Sequence, residues 1–549
     1  MKSLVPTPRP VDSGIEIHAF YYPGTEQMAE WDQIAQTRPE IKPLLGWYDE
    51  SDPEVVDWQI KWAVEHGISA FCVDWYWNRG DRRLEHWVGA FQKARHRRFL
   101  KWYAMYANHN QPGAIDEADL RRTAAYWIEN CFKTDEYYKI GGKPVVVFWS
   151  AVGLDDDIRR DAATRGEDLA PGEGARRAIA VLDECAKAAG LPGVCARAMW
   201  TDDSSPAFAR KAGFDALTLY NFDNRALHYT APVLDPRENP SAYSFETMCA
   251  GIREWWRLNC RSGDETPVLP TIPTGWNDMP RSFDATRLVY GLTPEKFGAL
   301  CRECRAFCDE RGIRQVYLAP INEWQEGSYA EPNEEFGFAL YDALRDAFCR
   351  KPPEGWPPNL RPADVGCGPY DYPPMPRPAR SFWDFSDGTP QGWYRHPYGC
   401  AYVRVRDGAL WFFRSWGADR AAIRTRIAPF DAAARPRFVL RMKMTPSRHA
   451  PPPTGAERVR LWWGTEERPL IVGGEKRSVP GDVPILCVTK ENAASAPAIP
   501  DGRWHDYEID LSGNPRWAGA VNEVWFDPGE CFNADVSIDH LGFLPQPPR

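Results

Sequence analysis

Over residues 14 to 350, short apolar or aromatic runs alternate with longer amphipathic segments. The runs are EIHAFYY (16 to 22), SAFCVDWYW (69 to 77), LKWYAMYAN (100 to 108), KPVVVFWS (143 to 150), GVCARAMW (193 to 200), ALTLYNF (216 to 222), VLPTIPTGW (268 to 276) and QVYLAPINEW (315 to 324). Runs without polar alternation, separated by helical periodicity, read as parallel strands buried on both faces. The intervening segments include DPEVVDWQIKWAVEHG, DEADLRRTAAYWIENCF, GARRAIAVLDECAKAAG and TPEKFGALCRECRAFCDERG. Several open on Asp or Thr and close on Gly, the start and stop signals of helices. Eight such units predict an α/β fold, a (β/α)8 TIM barrel over residues 1 to 350, closed by the helix EEFGFALYDALRDAF.

From Lys351 to Pro378 the pattern gives way to KPPEGWPPNLRPADVGCGPYDYPPMPRP. That much proline favours extended backbone and cannot donate to a ladder, so the stretch reads as a linker between domains. Residues 379 to 549 then show short alternating runs, among them AYVRVRDGALWFF, RFVLRMKM, RVRLWWG and AVNEVWFDP. Strands spaced by turns, without helical periodicity, predict an all-β sandwich of jelly-roll type, the build of many carbohydrate-binding modules. Trp411, Trp416, Trp462, Trp463, Trp504 and Trp525 could furnish a sugar platform there. A packing role is the plainer reading, because fold does not imply function.

Composition changes this picture in three ways. A net charge of −10 without an isolated Lys/Arg block excludes an electrostatic nucleic-acid footprint. The 25 Trp, many at the ends of apolar runs, suit a cleft for sugar rings, whose apolar faces stack on indoles. Fourteen scattered Cys lack a disulfide framework, which fits a reducing compartment. Cys301, Cys304 and Cys308 share one helix face and lack a further ligand pair, so packing explains them better than metal. The first residues, MKSLVPTPRPVDSG, show no apolar core of a signal peptide, and no window is long enough for a membrane span. The expectation is therefore a cytoplasmic protein, with a periplasmic or secreted one as the alternative.

Candidate chemistry gathers in Val316 to Gly337, VYLAPINEWQEGSYAEPNEEFG. An apolar strand stops at Asn322, Glu323, Trp324, Gln325 and Glu326, which places two carboxylates at the strand end where barrels keep their catalysts. Paired carboxylates in different environments are what glycosidic cleavage needs, one ionised and one protonated. The other runs end in polar or aromatic residues too: Tyr22; Asp74, Trp75, Tyr76 and Trp77; Asn108 and His109; Trp149; Trp200; Tyr220; Trp276, Asn277 and Asp278. In a barrel these ends converge on one rim. Tyr22, Asp74, Trp75, Trp77, Asn108, His109, Trp149, Trp200, Tyr220, Trp276, Asn277 and Asp278 are accordingly substrate-binding candidates, as are Tyr48, Arg281, Asn322, Trp324 and Tyr329. Trp324 and the rim aromatics would desolvate Glu326, while Asn322 or Tyr329 would hydrogen-bond ionised Glu323. His18, inside the first run, reads as a hydrogen-bonded barrel histidine, and GLDDDIRRD, with Asp155 to Asp157, as a loop leading into a capped helix.

These stretches resemble the family 99 glycoside hydrolases and their family 99-like relatives encoded among polysaccharide genes. The resemblance spans Glu16 to Phe348, and its most specific part is INEWQEGSYAEPNEEFG, supported by LLGWYDESDP, GISAFCVDWYW with LEHW, DEYYKIGGKPVVVFW and TGWNDMPR. It implies a (β/α)8 barrel and retaining, endo-acting α-mannosidase chemistry. Glu323 would act as base on the sugar's own 2-OH to give a 1,2-anhydro sugar, and Glu326 would protonate the leaving oxygen and then activate water. The chemistry needs no cofactor or metal. Sandwich folds sometimes hold a structural Ca²⁺, but no oxygen-ligand loop for one is legible. The pattern departs at Leu318 to Ile321, at His109 where relatives carry an acid, and at Asn277 and Asp278, whose order is inverted. All three bear on which sugar is taken. An oligo- or polysaccharide is the expected partner. A polysaccharide-building glycosyltransferase and a catalytically silent glycan binder are the alternatives, the former without a Gly-rich phosphate loop.

Overall fold

The computed structural model describes residues 5–546 except 26–27, 110–111, 201–204, 222–240, 262, 283–285, 397–399, 415–420, 448–451, 474–485, 490 and 530–532. These form two compact units, a barrel unit that takes most of the chain up to Tyr372 and a sandwich unit that takes most of the chain from Pro373.

In the barrel unit the principal strands are β1 (Glu16–Tyr21), β2 (Ile68–Asn78), β3 (Lys101–Tyr106), β4 (Lys143–Phe148), β5 (Cys195–Met199), β6 (Ala216–Thr218), β7 (Thr271–Ile272) and β8 (Gln315–Leu318). They lie side by side in the order β7-β8-β1-β2-β3-β4-β5-β6. Every neighbouring pair is parallel, as the unalternating apolar runs require. One parallel bridge, Leu217 to Val268, completes the ring between β6 and β7. It rests on Leu217 N–H donating to Pro267 O at 2.9 Å and Leu269 N–H donating to Leu217 O at 2.8 Å.

Helices between the strands start where the caps put them. Asp52 caps Pro53–Glu65, Asp116 caps Glu117–Trp127, and Thr293 caps Pro294–Arg311, which ends at left-handed Gly312. The loop expected at Asp155 to Asp157 is instead the middle of a helix, Ala151–Thr164, capped by Ser150. There Asp157 accepts from the N–H groups of Gly113 and Ile115, and Asp155 from Ala175 N–H, so these carboxylates fasten neighbouring segments. His18 is fully buried in the barrel, its Nδ1 2.8 Å from the Tyr103 hydroxyl. Cys301, Cys304 and Cys308 are fully buried on one helix face, as the packing reading has it.

The proline-rich stretch is not a free tether up to Tyr372. Trp62 Nε1 donates to Leu360 O at 2.9 Å, Trp58 Nε1 to the Tyr370 hydroxyl at 3.0 Å, and the N–H groups of Tyr370 and Tyr372 to Leu45 O and Trp47 O. Proline leaves carbonyls and neighbouring N–H groups to pair outside any ladder, and here they pair with the barrel's own loops.

Among the described residues the strands of the sandwich unit all pair antiparallel, in a six-stranded, a five-stranded and a two-stranded sheet. Alternate residues such as Phe438, Leu440 and Met442 of one sheet and Val459, Leu461 and Trp463 of the other form its core. Its tryptophans do not share one face. Trp463 is core, Trp462 and Trp525 pair across neighbouring strands, Trp504 carries Arg441 and Lys443 on its ring, and Trp411 donates to Asp535. Trp416 lies outside the described residues. No helix among the described residues is long and apolar enough to cross a membrane.

Candidate active site

After β8 the chain makes a tight hairpin: Asn322–Glu323 pairs antiparallel with Ser328–Tyr329 around the turn Trp324–Glu326. Gly327 closes the turn at φ 61°, and a Cβ there would stand 2.6 Å from Asn277 N, so only glycine lets the loop after β7 press against the turn. Ile321 anchors the hairpin, donating its N–H to Phe20 O and accepting from both Ala330 N and Glu331 N. Glu323 and Glu326 are thereby held at the C-terminal rim, each 8% exposed.

Tyr220, just past β6, donates its hydroxyl to Glu323 Oε2 at 2.8 Å and also lies 3.2 Å from Asp74 Oδ2. Asp74, 4% exposed, comes from β2, so three strands far apart in sequence meet here. Burial pushes the Asp74 carboxyl well above the carboxylate range; the Tyr220 hydrogen bond opposes this and the nearby Glu326 adds to it. Burial, with the acidic neighbourhood of Asp74, Glu323 and Glu326, holds the Tyr220 phenol firmly protonated. An aromatic wall continues along the rim: Trp149 meets Tyr220 edge-on at 5.1 Å, His109 meets Trp149 at 5.5 Å, and Tyr76 meets His109 at 5.7 Å. Aromatic faces beside buried carboxylates make a surface suited to a sugar ring.

Behind the hairpin lies a second buried network. Asn322 donates to Tyr22 O at 2.9 Å and Glu50 Oε1 at 3.0 Å, and accepts from Tyr22 N. Glu50 also accepts from the Tyr21 hydroxyl and Thr25 N, while Glu331 accepts from the Tyr48 hydroxyl at 2.6 Å and Gln59 Nε2 at 3.1 Å. Burial raises the Glu331 carboxyl to about 8, against the pull of Tyr48 and Gln59 and with the push of Glu50.

Asp74, Tyr220, Glu323 and Glu326 therefore come together, with His109 and Trp149 beside them. Tyr22 joins the rim through its backbone pairing with Asn322. Trp75 and Trp77 do not: they are buried in the helical layer, where Trp75 packs on Trp127 at 5.0 Å and Trp77 Nε1 donates to Asp119. Side chains alternate along a strand, so an inward Asp74 forces its neighbours outward and makes Tyr76 the next rim residue. Asn108 bridges to Ser150, donating to its carbonyl and accepting from its N–H. Neither Asn322 nor Tyr329 is the donor to Glu323; the former binds Tyr22 and Glu50, and the latter donates to Glu335 and stacks on Trp324 at 4.9 Å. Trp324 donates to the Tyr48 hydroxyl, so both belong to the hairpin's support. Trp200 packs on Trp255. Trp276 and Asn277 form a short strand paired with Leu288 and Val289, Asp278 accepts from Arg287 N, and Arg281 is buried in the short helix Met279–Ser282. Glu50, Gln59 and Glu331 escaped the sequence reading, although Glu331 sits inside the quoted motif.

The profile of the family described as Glycosyltransferase WbsX matches residues 28–344. The chain belongs to the WbsX glycosyltransferase family. This WbsX-family chain is 23% identical over 352 and 355 residues to two proteins called "Uncharacterized protein WxcX", from two strains of Xanthomonas campestris pv. campestris. Each match covers 59% of the WbsX-family chain and 46% of the relative, so it spans less than half the length of those relatives. Among solved structures it is similar to a GH99 endo-alpha-mannosidase from Bacteroides thetaiotaomicron in complex with BIS-TRIS-propane. That match has 15% identity and a TM-score of 0.40, and covers 62% of this chain and 96% of the other. A structure titled "Glycoside hydrolase-like protein" matches at 16% identity and a TM-score of 0.45, covering 63% of this chain and 98% of that one.

Proposed function

We propose that the barrel cleaves α-linked sugars bearing a free 2-OH in an oligo- or polysaccharide, with retention of configuration. The observation that carries this reading is the pair of buried carboxylates on the β8 hairpin, Glu323 and Glu326, of which the first accepts the Tyr220 hydroxyl at 2.8 Å. A hydrogen bond donated to a carboxylate favours its ionised form, which suits Glu323 to take a proton. Glu323 removes the 2-OH proton as O2 attacks C1 and the bond from C1 to the leaving oxygen breaks. Glu326 supplies the proton that oxygen needs. Water then opens the 1,2-anhydro ring at C1, giving its proton to Glu326, and Glu323 returns the first proton to O2. Two displacements at C1 leave the configuration unchanged.

The family description favours a second reading, in which a sugar hydroxyl takes the place of water and the glycosyl group is transferred. Both use the same hairpin. The test is a screen of α-mannosides, α-rhamnosides and related glycans, with and without acceptor sugars, reading the released anomer by NMR. Hydrolysis with retained configuration, reduced at least 100-fold by Glu326→Gln on unactivated substrates, is the expected result. A product formed only with acceptor sugars would replace hydrolysis by transfer, and binding without turnover would leave a glycan-binding barrel.

A further inference from the structure

One phenol proton sits between two carboxylates. Tyr220 Oη lies 2.8 Å from Glu323 Oε2 and 3.2 Å from Asp74 Oδ2, both within hydrogen-bond reach. A hydroxyl donates once. If Tyr220 gives its proton to Glu323, the contact to Asp74 is a hydrogen bond only when Asp74 brings a proton of its own. The opposite assignment would leave ionised Asp74 with a buried oxygen, Oδ1, that has no hydrogen-bond partner among the described residues. An unsatisfied buried oxygen costs far more on a carboxylate than on a neutral acid.

We propose that Asp74 is a positioning residue that holds a proton: its carboxylic acid donates to Tyr220, Tyr220 donates to Glu323, and the directed chain keeps Glu323 ionised to receive the 2-OH proton. This deepens, and rests on, the hydrolase reading above. Cooperative chains strengthen each bond in turn, so the neutral acid one residue removed acts on the base without touching the sugar.

The groups bearing on Asp74 agree with this direction. Tyr220 and Glu326 act on it from the loops after β6 and β8, and Cys72 and Tyr76 flank it on its own strand. None of them is a cation. A carboxyl buried among acids keeps its proton, and the burial that raises Asp74 points the same way.

The experiment compares kcat/KM against pH for wild type, Asp74→Asn, Asp74→Leu, Tyr220→Phe and the Asp74→Leu/Tyr220→Phe double variant. The side-chain amide of Asp74→Asn still donates, so its acid limb stays where wild type has it. Asp74→Leu and Tyr220→Phe weaken the support of ionised Glu323 and move that limb up by about one pH unit, a roughly tenfold loss at the acid end. The double variant shifts no further than Tyr220→Phe alone, because the two residues act as one chain. An Asp74→Asn limb shifted like that of Asp74→Leu would overturn the proposal, as would an unshifted Asp74→Leu. Infrared difference spectra of wild type against Asp74→Asn at pH 7, without substrate, supply a readout independent of activity. A protonated carboxyl band lost in the variant is expected, and its absence overturns the proposal even in an active hydrolase. The band in a protein that cleaves no glycan would leave the proton on Asp74 and remove the hydrolase reading.

Discussion

At the scale of single residues, the site is a study in where protons are kept. Glu331 is raised to about 8 by burial, so its carboxyl is protonated in the folded chain under conditions where it ionises in the unfolded one. Its contribution is complete below about pH 4, the usual glutamate range, and is lost as pH climbs towards 8. Glu331→Gln, which cannot ionise, should therefore have a melting temperature that falls less than that of wild type between pH 5 and pH 9, with the two chains closest at the acid end. Thermal melts across that range check it, and parallel curves would show that Glu331 does not titrate there. Much of this was legible in the sequence for Glu323 and Glu326, which stand in one short motif at a strand end. It was not legible for Glu50, which reaches Asn322 through a fold contact 272 residues away in sequence. Trp75 and Trp77 show a different limit. The indoles drew attention, yet strand alternation alone, applied from Asp74, already assigns Tyr76 to the rim and the tryptophans to the helices.

At the scale of elements, the strands were read correctly because parallel barrel strands are apolar on both faces and bounded by caps that announce the helices. The Asp155 to Asp157 stretch was misread because acidic residues favour helix starts in general, whereas here they face neighbouring loops from mid-helix. The hairpin after β8 depends on one residue without a side chain. Gly327→Ala would thrust a Cβ to within 2.6 Å of Asn277 N at a positive φ, which costs on the order of 1–2 kcal/mol before any clash is counted. The expected result is a lowered melting temperature and at least a tenfold loss of turnover, because the displaced turn carries Glu326. A variant of wild-type stability and activity would show that the turn has room to spare. Residues 351–372 make a gentler case. Tyr370→Phe removes the hydroxyl that accepts from Trp58 Nε1 at 3.0 Å and donates to Glu54 at 2.6 Å, and should destabilise the barrel unit by about 1–2 kcal/mol in denaturant titrations.

At the scale of the whole molecule, composition and periodicity distinguished two units of different architecture, and each is internally complete in its own core. What composition could not show is where the barrel is thin. Among the described residues its ring is joined between β6, three residues long, and β7, two residues long, by one backbone bridge at Leu217 and Val268, with Thr271 Oγ1 donating to Leu219 O at 2.6 Å beside it. A cylinder with one short seam does not soften evenly. Amide hydrogens of Leu217 and Leu269, which make that seam, should exchange with deuterium sooner than those of the long central strands. Leu217 lies three residues before Tyr220 in the chain, so a breath at that place would draw the phenol away from the two acids it joins. Warming should then loosen the Asp74–Tyr220–Glu323 cluster while the circular dichroism is still that of an intact barrel, and a sugar bridging the mouth from Trp149 to Glu323 would act as a clasp across the gap.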